Sequence, residues 1–186
     1  MKAEKFKPDN ILSINELNSE LELQKAQSLI GKFSWMKKED PSLGRLEKHL
    51  INLVEKYEEK HWANADDISD DQVEQSDLAE WMLEHHDQFI KRRKEIIRNE
   101  LKERGLKQKD LAKFLARRAT HLSEQLNGFR QFSRTDIRIL NRVFNVKLED
   151  LFDPFMEEDT RVRVKEVISE YPEANLELKK EDLLMV

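Results

Sequence analysis

Apolar positions recur at helical spacing along most of the 186 residues. Ser13 followed by Glu16 makes a capping-box pattern, and Ile14, Leu17, Leu21, Leu29, Ile30 and Phe33 then predict an amphipathic helix to about Trp35. Pro41 and Ser42 open a second helix. Leu43, Leu46, Leu50, Leu53, Val54 and Tyr57 form its apolar stripe, and Glu47, Lys48, Glu55 and Glu58 its wet side. The short MKKEDP connection predicts an antiparallel hairpin. Two helices cannot bury both stripes by themselves, so the pair must pack on the rest of the chain, on a second copy or on a partner.

From His61 to Gln75 the periodicity stops, and Asp66, Asp67, Asp70 and Asp71 mark a linker. It resumes at Ser76-Asp77 with Leu78, Trp81, Met82, His85 and Phe89, and continues through Ile96, Ile97 and Leu101 to a stop at Gly105. One helix of about 28 residues fits this pattern, and so do two with a break near residues 86–91. Beyond Pro154 the period changes: Val162 and Val164 alternate with Arg161, Arg163 and Lys165, and Leu176 and Leu178 form a second alternating piece. These predict a β-hairpin around Tyr171-Pro172. A lone hairpin is marginal in water, so such a tail pairs across a dimer, adds to a partner's sheet, or stays unfolded until bound.

The most informative stretch is LKQKDLAKFLARRATHLSEQLNGFR, residues 106–130. Leu111, Phe114 and Leu115 give one short helix a narrow apolar side, and Leu122 and Leu126 do the same for a second. Neither is stable alone. Arg118, Ala119, Thr120 and His121 lead the second helix, opposite its apolar back, which is the arrangement a helix needs to enter the DNA major groove. On this reading Arg118, Thr120 and His121, with Gln125 one turn later, contact bases. Lys107, Gln108 and Lys109 begin the preceding helix, where free amides and the positive dipole end favour phosphate. After these helices Ser133 caps another, with Ile137, Leu140, Val143 and Phe144. Asn145 then ends it in a left-handed conformation, and Leu148, Leu151 and Phe152 close the core.

Gln108, Leu111-Ala112, Leu115, Ser123 and Asn127-Gly128 together resemble the helix-turn-helix of the Cro / lambda-repressor-like (XRE) family. The resemblance runs on through LNRVFNVKLEDLF to about residue 153. It implies a five-helix DNA-binding domain, puts Gln108 on the phosphate backbone, and brings the loop of Asn127, Arg130 and Arg134 near it. Two positions depart from the pattern. Ala116 and Arg117 stand where the family has Gly and an apolar residue, and a left-handed position is harder for Ala by about 1 kcal/mol, which predicts a turn of a different shape. Glu124 puts an acid on the reading helix, which repels phosphate but can accept from a cytosine amine.

Charge sharpens this picture. The net charge of −5 argues superficially against nucleic acid. Residues 88–150, however, hold 17 Lys/Arg against 8 Asp/Glu, a net of +9. Residues 1–87 hold 11 against 20, a net of −9, and residues 151–186 hold 5 against 10, a net of −5. A basic module between acidic flanks is the footprint of a DNA-binding unit whose flanks face something else, such as a basic protein. The competing reading is an uneven scatter of solvated charge, and the basic run at residues 91–94 serves equally as a solvated helix face. There is no cysteine, no signal-peptide core and no apolar run near the roughly 20 residues that span a bilayer, so the sequence predicts a cytoplasmic protein away from membranes.

Enzyme chemistry finds no foothold. The chain has no glycine-rich phosphate loop, no HExxH pair and no nucleophile motif, and no cofactor is expected. Glu84, His85, His86 and Asp87 are the only dense ligand cluster, but adjacent histidines on a helix point about 100° apart. His85, on the Trp81 and Phe89 side, reads as a core or interface residue.

For the whole chain, an acidic helical hairpin ahead of a Cro-like unit resembles the HigA-type antitoxins. That resemblance implies a homodimer that represses its own operon by binding double-stranded operator DNA and masks a small basic RelE-like toxin that cleaves mRNA. The expected layout is mainly α: a hairpin in 1–62, an acidic linker and connecting helix in 63–92, the helix-turn-helix domain in 93–153 and the tail in 154–186. Two other readings fit the same residues: an XRE-type regulator without a toxin, and a protein-interaction module that has kept the fold but not DNA binding.

Overall fold

The computed structural model describes residues 5–38, 40–64, 68–152, 156 and 158–178. Among these residues there are seven α-helices and no strand, so the chain is mainly α: α1 Glu20–Met36, α2 Leu43–His61, α3 Asp70–Glu103, α4 Gln108–Phe114, α5 Ala119–Leu126, α6 Arg134–Phe144 and α7 Glu158–Ser169. The chain divides into two compact units, one ending at Glu84 and one beginning at His85. Residues of α3 belong to both.

In the first unit α1 and α2 pack on each other, as the hairpin pattern predicts. The start of α1 differs from expectation. Ser19, not Ser13, is its N-cap and accepts from the Glu22 amide. Ile11, Ile14 and Leu17 are buried at three-residue intervals, which a 3-10 turn at Ile11–Ser13 followed by extended chain achieves. The Ile14 carbonyl lies 2.9 Å from a ring nitrogen of His49 on α2, so this segment is bonded across the hairpin. Glu47 is also not on the wet side. It is buried, and both its carboxylate oxygens accept from Lys37 Nζ at 3.0–3.1 Å. The linker is shorter than the composition implied, because Asp70 and Asp71 already belong to α3; Asp66 and Asp67 lie outside the described residues.

The connecting helix is continuous through 34 residues, with no break near 86–91. Gly105, at φ 66°, ends it: the Leu106 amide donates back to the Leu101 carbonyl at 2.8 Å, the bond of a Schellman stop. In the second unit the end of α3, then α4, α5 and α6, surround one core of Ile97, Leu101, Leu111, Leu115, Leu122, Leu126, Phe132, Leu140, Phe144 and Leu151. Ser133 caps α6 in a reciprocal box with Asp136, and Asn145 ends it at φ 61°. The element after it is a single 3-10 turn, Leu148–Asp150, and not a fifth α-helix.

The expected C-terminal β-hairpin is not found among the described residues. Val162 and Val164 lie in α7, and Tyr171-Pro172 lead into a 3-10 turn at Pro172–Ala174. The alternation there was too short to set a two-residue period. Arg161, Val164 and Ile168, the less exposed positions, repeat at helical spacing, and there is no sheet among the described residues for a strand to join. Pro154 lies outside the described residues.

Candidate nucleic-acid interface

The chain from Lys107 to Arg134 forms two short helices, a tight turn between them, and the loop leading into α6. Leu111, Ala112 and Leu115 seal one side of α4, and Leu122, Gln125 and Leu126 one side of α5. Ala116 makes the turn, in the left-handed region at φ 52°. The turn therefore keeps the backbone shape that glycine favours, contrary to the different shape predicted from the Ala substitution. The Arg117 amide donates to the Ala112 carbonyl at 2.8 Å and closes it.

Arg117 has a role that its apolar counterpart in the resembling pattern would lack. Its Nη2 lies 3.3 and 3.4 Å from the two carboxylate oxygens of Asp136, whose side chain is only 2% exposed. The same carboxylate accepts from the Ser133 amide at 2.9 Å and from Gln125 Nε2 at 3.0 Å. Burial alone raises the Asp136 pKa. The Ser133 amide, the Gln125 amide, the Ser133 hydroxyl and the Arg117 charge outweigh it, and the carboxyl titrates below its usual range. This buried knot fastens the start of α6 to the α4–α5 turn. Arg118 and Arg134 are each next in sequence to a member of the knot, and both are exposed.

Arg118, Ala119 and Thr120 are exposed on the leading turn of α5, and His121 is half-buried. Lys107 and Lys109 are exposed at the start of α4, with Gln108 between them half-buried. One of the amides there is already taken: Asp110 Oδ2 accepts from the Lys107 N–H at 3.0 Å. That bond, with Lys113 and Lys109 nearby, holds the Asp110 carboxyl below the usual range. The carboxylate and any phosphate at this helix start would compete.

Three expected contacts are turned inward. Gln125 is 1% exposed, and its amide donates to the Asp136 carboxylate and the Gln131 carbonyl, so it cannot reach a base. Asn127 is occupied at both ends: Oδ1 accepts from Lys94 Nζ at 2.6 Å and Nδ2 donates to the Ser123 carbonyl at 2.9 Å. Arg130, with 18% of its side chain exposed, donates to the Glu124 carboxylate. That ion pair also compensates the charge that set Glu124 against phosphate.

No protein-family model, curated protein or solved structure matches the chain.

The basic run at 91–94 is mostly engaged within the unit. Arg92 pairs with Asp150 at 2.9 Å. Arg93 is buried, with its guanidinium 5.2 Å from the Phe89 ring centroid and 5.0 Å from that of Phe132, and Nη2 donates to the Gln125 carbonyl. Burial and the neighbouring Arg98 lower the Lys94 pKa. Arg93 was legible in part: Phe89 precedes it by one helical turn, which marks a stacked cation as much as a solvated one. Among the described residues no group of His, Cys, Asp and Glu is placed to hold a metal ion, and no helix is long and apolar enough to cross a membrane.

Proposed function

We propose that residues 93–153 form a Cro / lambda-repressor-like DNA-reading domain and that the chain is an operon-repressing antitoxin of the HigA type. The observation that carries the DNA reading is α5 itself. Its back is sealed in the core by Leu122, Gln125 and Leu126, while Arg118, Ala119 and Thr120 stand exposed at its N-terminal end, the end that such helices insert into the major groove. Arg118, Thr120 and His121 make the base contacts. Lys107, Gln108, Lys109 and Arg134 meet phosphate. The contact set is smaller than the sequence pattern suggests, because Gln125, Asn127 and Arg130 serve the fold.

The antitoxin part rests on charge. Residues 1–87 carry −9 and residues 88–150 carry +9, so the acidic part has the sign to bind a small basic toxin while the basic part binds operator DNA as a homodimer. Co-expression with the neighbouring reading frame, followed by co-purification and a growth assay, tests this part. Rescue of growth and a stable complex are expected. A neighbour that is neither toxic nor bound would leave a regulator without a toxin. For the repressor part, a mobility shift on the DNA upstream of the gene should be strong at low ionic strength and fade with salt. No shift would instead favour a protein-interaction module, a reading to which the inward-turned Gln125, Asn127 and Arg130 lend weight.

A further inference from the structure

The first unit carries an open groove of about 640 Å³ between α1, the end of α2 and the start of α3. Its apolar wall is Leu23, Trp62 and Ala63, and its rim carries Glu55, Glu58 and Glu59, with no Lys or Arg among the lining residues. Glu58 is steadied by Gln27, whose Nε2 donates to Oε1 at 3.0 Å, while Glu55 and Glu59 are exposed. A further negative charge lies behind the wall. Glu20, 5% exposed, accepts from Tyr57 Oη at 3.0 Å and Trp62 Nε1 at 3.1 Å through one carboxylate oxygen. Its other oxygen is buried without a hydrogen-bond partner among the described residues.

We infer that this groove docks an arginine-bearing segment of a partner protein, with a guanidinium stacked on Trp62 and held by Glu55 and Glu59. An aromatic face beside carboxylates suits guanidinium better than ammonium, because the planar ion stacks and pairs at once and is less strongly hydrated. A bound metal ion does not fit, since the carboxylates do not converge as ligands. The three carboxylates, with no Lys or Arg among the lining residues, match a basic segment. The inference deepens the proposed function and rests on its reading of the acidic part as a partner-binding surface, to which it assigns named residues.

The test uses the full-length protein and calorimetric titration with three capped peptides, of alternating Arg and Ala, Lys and Ala, and Glu and Ala. The Arg peptide should bind, the Lys peptide more weakly, and the Glu peptide not at all. The double substitution Glu55→Gln/Glu59→Gln, and separately Trp62→Leu, should each weaken the Arg peptide about tenfold. Glu166→Gln/Glu170→Gln, an exposed pair of the second unit that removes the same charge, should leave it unchanged. Absence of Arg-peptide binding, equal affinity for the Lys peptide, or equal weakening by the two double substitutions overturns the inference. Because Trp62 is bonded to Glu20, circular dichroism checks that Trp62→Leu still folds, and the exposed Glu55/Glu59 pair decides if it does not. Co-purification with the neighbouring reading frame's product separates this result from the partner-binding reading it rests on. A stable complex without Arg-peptide binding removes only the groove, and loss of both removes the partner-binding reading as well.

Discussion

Asp136 concentrates more of the account than any other residue. It closes the α6 capping box, receives Gln125 and faces Arg117, so its loss would strand several donors in a buried site. Asp136→Ala should destabilise the second unit by about 2–4 kcal/mol, measured by urea unfolding. The pH dependence has a definite sign. Its folded pKa is depressed, so its contribution is complete above the ordinary carboxylate value and is lost as pH falls below about 4 through the folded value. The wild type should therefore lose more stability than Asp136→Ala over that acid range, and parallel curves would mean that the carboxylate is not held as described. Ala116 gives a prediction of opposite sign. Because it occupies the left-handed region at φ 52°, Ala116→Gly should stabilise by about 0.5–1 kcal/mol in the same assay. Destabilisation would show that the Ala methyl contributes packing that outweighs its backbone strain.

Between elements, the decisive contacts join α3 to the loop after α5. Gly128 sits at φ 82°, and a Cβ there would meet three side-chain atoms of Ile90 at 3.0–3.2 Å. Ile90 is itself buried and β-branched, so it has little room to turn. Gly128→Ala should cost about 1–3 kcal/mol and speed amide exchange in α5 and its following loop before that in α1 and α2. Exchange rising equally in both units would contradict this. The helices from α1 to α6, the Asn145 stop and the Ser133 cap were legible in the sequence because each depends on residues a few positions apart. The inward turn of Gln125, Asn127 and Arg130 was not. Gln125 lies on the buried back of α5 and Asn127 and Arg130 follow its end, and their partners Asp136, Lys94 and Glu124 are set by how the chain packs there. For the same reason Ser13 and Ser19 look alike in sequence: each is followed three residues later by Glu, and only the burial of Ile11, Ile14 and Leu17 selects the second. The tail failed for a different reason, since a two-residue alternation over so few positions also fits a helix.

Across the whole molecule, the sign change in charge near residue 87 falls close to the boundary between the two units at Glu84. On the proposed function, the opposite charges of the two units would let a basic partner and DNA each be drawn to its own unit. Because much of the basic charge at 91–94 is paired or buried, the count of available cations is smaller than +9 implies, and DNA affinity should depend on a few exposed side chains. The most direct measurement is fluorescence anisotropy of labelled upstream DNA across a salt series, with wild type, Arg118→Ala and Lys107→Ala. Log affinity should fall linearly with log salt, with a slope smaller by about 1 for Lys107→Ala on all DNA alike and a loss of about 1–3 kcal/mol for Arg118→Ala confined to the preferred operator. No salt-sensitive binding at low ionic strength, or equal losses from the two substitutions on every DNA, would contradict the claim that α5 reads DNA.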